Sequence, residues 1–331
     1  VNESRNPQAT DNGVRESVLK VRNLRVYYHL SAGPVKAAND VSFDLKRSER
    51  FGLVGESGSG KSTIALAILR MIRPPGQIQG GEVLLGGRDI LTLSDEEMRR
   101  VRLAEIALVT QGAMNSLNPV LRIRDQIRDG LDDHGAGLSP RDFEKRLHDL
   151  LESVGLRPSV ANMYPHELSG GMKQRACIAI AISLNPKVII ADEPTSALDV
   201  VVQRQIMETL EAVQDRLDAS IILIGHDMGL MAQVVGRIGV MYGGALVEVS
   251  DVEAMFREPL HPYSQLLIGS LPSLRKKKAL RGIPGLPPSL LNRPSNCLFH
   301  ARCPFAFDRC KVEEPTLREV KPERFVACHL Y

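Results

Sequence analysis

Short, almost unbroken apolar runs alternate along this chain with stretches in which apolar residues recur at helical intervals. Val188-Ile189-Ile190-Ala191 has the form of a strand buried on both faces in a parallel sheet, and Ile221-Ile222-Leu223-Ile224 reads as another strand. A further apolar run ends at Val54, and after a glycine-rich turn the pattern becomes helical over 61–71. Strand-like segments at 18–28, 41–45 and 82–85 predict an antiparallel β region beside that core. From 116 to 167 the pattern turns to amphipathic helix, with Phe143, Leu147, Leu150, Leu151 and Val154 at near-helical intervals, and a further helix is expected over 172–184. Strands and helices in this order predict an α/β fold.

The turn after Val54 reads Gly55-Glu56-Ser57-Gly58-Ser59-Gly60-Lys61-Ser62, followed by Thr63. It fits the phosphate-binding pattern G-x-x-x-x-G-K-[ST] at every fixed position, between an apolar run and a helix-like run. The glycines let the backbone turn tightly and aim N–H groups at phosphate oxygens, and the following helix adds the positive end of its dipole. Lys61 is expected to reach the β- and γ-phosphates, and the Ser62 hydroxyl to ligate Mg²⁺. The run 188–191 ends in Asp192-Glu193-Pro194. Asp192 would hold the hydrated Mg²⁺, and Glu193 would polarise the water that attacks the γ-phosphate in line. A glycine turn that binds nothing and a solvated acidic turn are the plainer readings of each motif alone; finding both on one chain disfavours them.

Leu168-Ser169-Gly170-Gly171-Met172-Lys173-Gln174-Arg175 lies between these two motifs and resembles the signature segment of ATP-binding-cassette ATPases. The resemblance implies a P-loop NTPase nucleotide-binding domain, with a RecA-like core, an antiparallel β region and a helical subdomain, that hydrolyses ATP with Mg²⁺. It implies that Tyr28, in preference to Tyr27, stacks on adenine, and that Gln111 is the Q-loop glutamine, joining Ser62 and Asp192 at the Mg²⁺. Asp199 then closes the D-loop Ser196-Ala197-Leu198-Asp199, and His226 is the switch histidine that acts with Glu193 and Gln111 in catalysis. Ser169 and the backbone of Gly170 and Gly171 would clamp the γ-phosphate of an ATP held by a partner subunit, so that hydrolysis requires a dimer. Taken singly, Tyr28 could be a strand-end tyrosine, Gln111 a loop polar residue and His226 a turn-capping histidine. Their order around two strong motifs favours the functional roles.

At 331 residues with 43% hydrophobic content, the chain exceeds one ordinary domain and can build a core with something appended. The expected division is a polar, disordered leader over 1–18, a cassette over 19–250 with its helical subdomain at about 112–168, and an extension over 251–331. In the resembling family the helical subdomain and the Q-loop receive the coupling helices of a permease. Here the Q-loop departs from the usual aromatic-Gln-(acid)-Pro pattern at Thr110, Gly112 and Ala113. In the extension, His261-Pro262-Tyr263-Ser264-Gln265-Leu266-Leu267, Ile283-Pro284-Gly285 and a cysteine block from Cys297 resemble the C-terminal region of oligopeptide and dipeptide importer ATPases. Arg275-Lys276-Lys277-Lys278, beside Pro and Gly, reads as a solvated linker.

Four of the five cysteines, Cys297, Cys303, Cys310 and Cys328, fall in the tail, with gaps of five, six and seventeen residues. In a cytosolic chain such clustering favours thiolate ligation of a metal over disulfides, but the gaps match neither common zinc knuckles nor ferredoxins, so spacing leaves the metal open. The family resemblance implies a [4Fe-4S] cluster on these four, stapling a Pro-rich tail that lacks a core of its own. Cys177, inside an apolar helix, reads as a small buried hydrophobe.

Net charge is only +3, which supports no nucleic-acid partner. No run approaches the roughly 20 apolar residues that cross a bilayer, and no signal-like leader is present, so the chain reads as cytosolic and peripheral at the cytoplasmic face of the membrane. The resemblance implies an importer ATPase acting with a second ATPase subunit (a non-identical one favoured, a homodimer possible), two transmembrane permease subunits and an extracytoplasmic solute-binding protein. Peptides are the expected solute, with oligosaccharides or nickel as alternatives. A soluble cassette acting on nucleic acid or ribosomes is the competing class, but it would usually carry two cassettes or a coiled-coil insertion, which this chain lacks.

Overall fold

The computed structural model describes residues 16–112, 116–271 and 282–331. Most of the expected leader, Ala113 of the Q-loop and the basic stretch 275–278 therefore lie outside the described residues. Strand β1 (Ser17–Leu30) already begins inside the span expected for the leader.

The core is a parallel array of β3 (Arg50–Val54), β6 (Ile106–Val109), β7 (Val188–Asp192), β8 (Ser220–Gly225) and β9 (Arg237–Tyr242), lying side by side in the order β9-β3-β8-β7-β6. Every residue of β7 is buried, because helices cover both faces of a parallel sheet and leave no polar face to present. The register pairs Asp192 with Ile224 and Val54 with Gly225. The carboxyl ends of β3, β7 and β8 thus finish level, and the residues that follow them share one crevice, the usual ligand position in open α/β sheets.

A second sheet, antiparallel, has the order β2-β1-β4-β5, with β2 at Gly33–Lys46, β4 at Gly76–Leu85 and β5 at Arg88–Asp89. Leu19, Val21, Leu24 and Val26 of β1 share one core with Phe51 and Leu53 of β3 and with Ile64 and Ile68 of the helix Lys61–Ile68. That helix is shorter than expected: the chain leaves it at Leu69, and Arg70 takes a positive φ of 51°.

The amphipathic stretch resolves into helices Ile123–Asp132 and Pro140–Ser153, followed by 3₁₀ turns at Pro158–Asn162 and Pro165–Glu167. Ser139 caps the second helix by accepting the Asp142 N–H, with Pro140 in the first turn where its missing N–H costs nothing. Phe143, Leu147, Leu150 and Leu151 form its buried stripe.

The described residues of the tail pack on the main core. Strand β10 (Ala245–Asp251) pairs with β9, and the hairpin of β11 (Arg318–Lys321) and β12 (Arg324–Val326) continues the same sheet through Glu248↔Val326 and Val249↔Phe325. Phe299, 1% exposed, packs with Tyr242 and Tyr263 at centroid distances of 5.2 and 5.4 Å. A segment without a core of its own is held by borrowing one.

Candidate nucleotide site

Beyond the ends of β3, β7 and β8 lies a cavity of about 480 Å³ lined by Ala37, Ser57, Gly58, Gly60, Lys61, Ser62, Thr63, Gln111, Glu193 and His226. Glycine is required at two turns of the loop that follows β3. A Cβ on Gly60, at φ 101°, would sit 2.0 Å from the Ala37 carbonyl oxygen, and one on Gly55, at φ 152°, would sit 2.2 Å from that of Met241. The loop therefore presses on two neighbouring strands while its open side faces the cavity.

Lys61, 5% exposed, donates from Nζ to the carbonyls of Gly55 and Glu56, both at 2.9 Å. Burial lowers its pKa below the ordinary lysine value, and Glu193, Asp192 and Glu56 partly offset this. Ser62 Oγ donates to Asp192 Oδ1 at 3.1 Å. Burial raises the Asp192 carboxyl above its usual range, with the Ser62 bond opposing. One hydroxyl and one carboxylate side by side suit a hard cation that fills its remaining positions with phosphate oxygens and water.

Glu193 follows β7 at a positive φ of 45°, costly for a residue with a Cβ, while its N–H is tied to the Ile224 carbonyl at 2.9 Å. This turn carries its carboxylate between two other residues. Gln111 Nε2 donates to Oε2 at 2.9 Å, and His226 Nδ1 lies 3.6 Å from Oε1. Residues far apart in sequence thus meet on one carboxylate that is 19% exposed beside the phosphate loop.

The remaining expected residues lie elsewhere in this single chain. Ser169 caps the helix Gly170–Ala181 by accepting the Met172 N–H, and Asp199 caps Val200–Leu217 by accepting those of Val201 and Val202. None of Ser169, Gly170, Gly171 and Asp199 lines the cavity. Neither does Tyr28, which lies against Gly76, nor Tyr27, whose hydroxyl donates to Asn39 Oδ1 at 2.5 Å. Ala37 of β2 lines the site without having been expected, since an alanine in a strand carries no signal of its own.

Residues 38–196 match the family described as ABC transporter, and residues 247–310 match the oligopeptide/dipeptide transporter C-terminal region. The dipeptide transport ATP-binding protein DppD of Caldanaerobacter subterraneus subsp. tengcongensis is 42% identical over 316 residues, which cover 95% of this chain and 97% of that protein. The chain belongs to the ABC transporter ATPases. DppD of Escherichia coli K12 is 41% identical over 95% of this chain and 96% of its own length, and the oligopeptide transport protein AppF of Bacillus subtilis is 39% identical over 96% and 98%. Among solved structures, the dimeric cassette MJ0796 superposes with a TM-score of 0.64 at 27% identity, over 71% of this ABC ATPase and 98% of that chain. The same cassette has been solved in a post-hydrolysis state with ADP and Pi, where the TM-score is 0.63 at 27% identity, over 71% and 98% of the two chains.

The expected [4Fe-4S] cluster finds no support in the geometry of this ABC ATPase. Among the described residues, no group of three or more His, Cys, Asp or Glu side chains is placed to hold a metal ion. Cys297 and Cys310 are instead buried in the main core, 7% and 6% exposed. Burial pushes the Cys297 thiol up to about 11 and also raises Cys303 and Cys328. Cys177 packs against the same core, where burial pushes its thiol up to about 12.

Proposed function

We propose that this chain is the ATP-hydrolysing subunit of an importer of dipeptides or oligopeptides. The meeting of Lys61, Ser62, Gln111, Asp192, Glu193 and His226 around one cavity carries the ATPase reading. The match of the tail to the oligopeptide/dipeptide transporter C-terminal region supports the solute class. Oligosaccharide or nickel import would use the same ATP chemistry. The reading divides the chain into a cassette over 19–250 and an importer extension over 251–331.

In this reading the amides of the phosphate loop cradle the polyphosphate. Lys61 exchanges its two carbonyl partners for β- and γ-phosphate oxygens, gaining a charged partner for a buried ammonium. Ser62 and Asp192, with Gln111, would hold Mg²⁺, which neutralises charge on the transferred phosphoryl group. Glu193, aimed by Gln111 and His226, accepts a proton from the attacking water; His226 steadies the γ-phosphate side and Tyr28 stacks on adenine. Asp199 and the signature residues Ser169, Gly170 and Gly171 complete the site of a second ATPase subunit. Two permease subunits and an extracytoplasmic binding protein complete the importer, with this chain peripheral on the cytoplasmic face. Among the described residues no helix is long and apolar enough to cross a membrane.

A metal centre shared by Cys297, Cys303, Cys310 and Cys328 is a separate proposal. It rests on the family resemblance and on Cys297 having the other three as electrostatic neighbours.

Glu193→Gln tests the catalytic assignment. The amide keeps the side chain's shape and a carbonyl oxygen for Gln111 but cannot take a proton. ATP affinity should stay within about two-fold while turnover in the assembled complex falls on the order of 10²- to 10³-fold. Turnover at the parental rate would remove Glu193 from the role of base.

A further inference from the structure

Glu56 is the second residue of the phosphate loop, and its side chain points away from the cavity, into the tail. Arg302 meets it there with two parallel bonds, Nη1 to Oε2 at 2.8 Å and Nη2 to Oε1 at 2.9 Å. The remaining donors of this guanidinium, 5% exposed, are also engaged: Nε donates to the Pro284 carbonyl at 2.8 Å, and Nη1 also to the Tyr242 hydroxyl at 3.1 Å. A planar fork so fully occupied has one position available to it, and a carboxylate bound bidentately inherits that position.

The same loop residue is held at its backbone. The Glu56 N–H donates to the Tyr263 hydroxyl at 3.0 Å, and its carbonyl accepts from Lys61 Nζ at 2.9 Å. Tyr263 is itself fixed, at 0% exposure, with its ring 4.6 Å from that of Tyr242. Side chain and N–H of Glu56 are therefore set by the tail, while its carbonyl touches the lysine that serves the nucleotide. Two tail motifs converge on this contact. Tyr263 belongs to His261-Pro262-Tyr263, and Ile283-Pro284-Gly285 supplies the Pro284 carbonyl and a glycine whose added Cβ would lie 3.3 Å from Arg302 Cγ.

We propose that Arg302 and Tyr263 are positioning residues for ATP binding: the C-terminal extension clamps the outer arm of the phosphate loop through Glu56 and holds it in the conformation that receives the polyphosphate. The clamp also neutralises a carboxylate that would otherwise repel the incoming phosphates at short range. This rests on the reading of the loop as the ATP site. Neither residue touches the cavity, so the expected signature is a change in nucleotide affinity larger than any change in turnover at saturation.

The test measures Mg-ATP binding by the full chain and steady-state ATPase activity of the assembled complex, with thermal stability followed in parallel. Arg302→Gln should raise Kd and KM for ATP about ten-fold, with kcat changing far less. Tyr263→Phe keeps the packed ring and removes only the acceptor, and should raise Kd about five-fold, the worth of one hydrogen bond. Glu56→Gln combined with Arg302→Gln should bind ATP better than Arg302→Gln alone, because the unpaired carboxylate is gone. Lys61→Ala separates the two readings. If it binds ATP as the parent does, the site assignment fails. If it loses ATP while Arg302→Gln and Tyr263→Phe keep parental Kd and KM, whatever their stability, the clamp is a structural staple only and the proposal is overturned.

Discussion

His261 anchors the tail as a neutral residue, and that makes the fold sensitive to mild acid. Its side chain caps the helix Pro262–Gly269 by accepting the Tyr263 N–H on Nδ1 at 3.0 Å, a bond that requires that nitrogen to be unprotonated. The ring is 2% exposed and lies 5.8 Å from Phe299, and burial pushes its pKa down from 6.5 to about 3. The unfolded chain takes up the proton near pH 6.5 and the folded one does not. The contribution to stability is therefore complete above the unfolded value and drains away as pH falls from there toward 3. Between pH 7.5 and 5.5 the unfolded form gains about one proton at this site, which costs about 1.4 kcal/mol. His261→Asn keeps a side-chain acceptor at the cap and removes the titration. Urea denaturation of both proteins at the two pH values should show the parent losing about 1.4 kcal/mol more than the variant. The buried Glu248, which accepts the N–H groups of Leu260 and His261 at 2.8 Å each, has its pKa raised by burial and contributes with the opposite sign. It is present in both proteins and cancels in the comparison. Equal losses in parent and variant would show that His261 does not resist protonation and would refute the account of the cap.

Leu147, 0% exposed in the stripe of helix Pro140–Ser153, should cost about 2–5 kcal/mol when changed to Ala, with ATP affinity unchanged because the stripe does not line the nucleotide cavity; urea denaturation and ATP titration check both halves. If the four tail thiols ligate a cluster, anaerobically purified protein should carry about four irons and as many acid-labile sulfides per chain, and Cys303→Ser should lose them. Stoichiometric zinc, or no metal after anaerobic handling, would exclude it.

The glycine-rich loop was legible in the sequence because its geometry is local. A phosphate loop needs glycines at fixed spacing, and Gly55 and Gly60 stand where any side chain would strike a neighbouring carbonyl. The parallel strands were legible for a related reason: Val188–Asp192 is covered on both faces, so its burial is written as an unbroken apolar run. Element ends were read less well. Helix Gly170–Ala181 starts two residues before the expected one because the Ser169 hydroxyl caps it, and Arg70 leaves the first helix through a positive φ that the apolar pattern does not encode. How the tail packs was not legible for a physical reason. Its prolines and short apolar runs describe a segment with no core of its own, but nothing local records that Phe299 would be buried on Tyr242 and Tyr263, or that β12 would pair with β10. Arg302, one residue before Cys303, looks like any surface arginine until the fold brings it to Glu56.

The placement of the signature residues bears on the proposed pairing of two ATPase subunits. Ser169 spends its hydroxyl as a helix cap, and Gly171 lies so near the helix Val200–Leu217 that an added Cβ would fall 2.7 Å from Val202 Cγ1. The signature is thus built rigidly onto the helical half. The phosphate loop is built just as rigidly onto β3, pressed on Ala37 and Met241 and tied to the tail at Glu56. Bringing one chain's signature to its own loop would mean breaking the packing of helix Gly170–Ala181 on Val200–Leu217, and dense packing resists such continuous deformation. A second subunit can supply the same donors at the free N-terminal end of that helix, which favours an anion, with no internal rearrangement. In the proposed pairing of two ATPase subunits the two halves would therefore be complementary. A nucleotide shared between them would report on both the cassette and, through the proposed clamp of Arg302 and Tyr263, the seating of the tail.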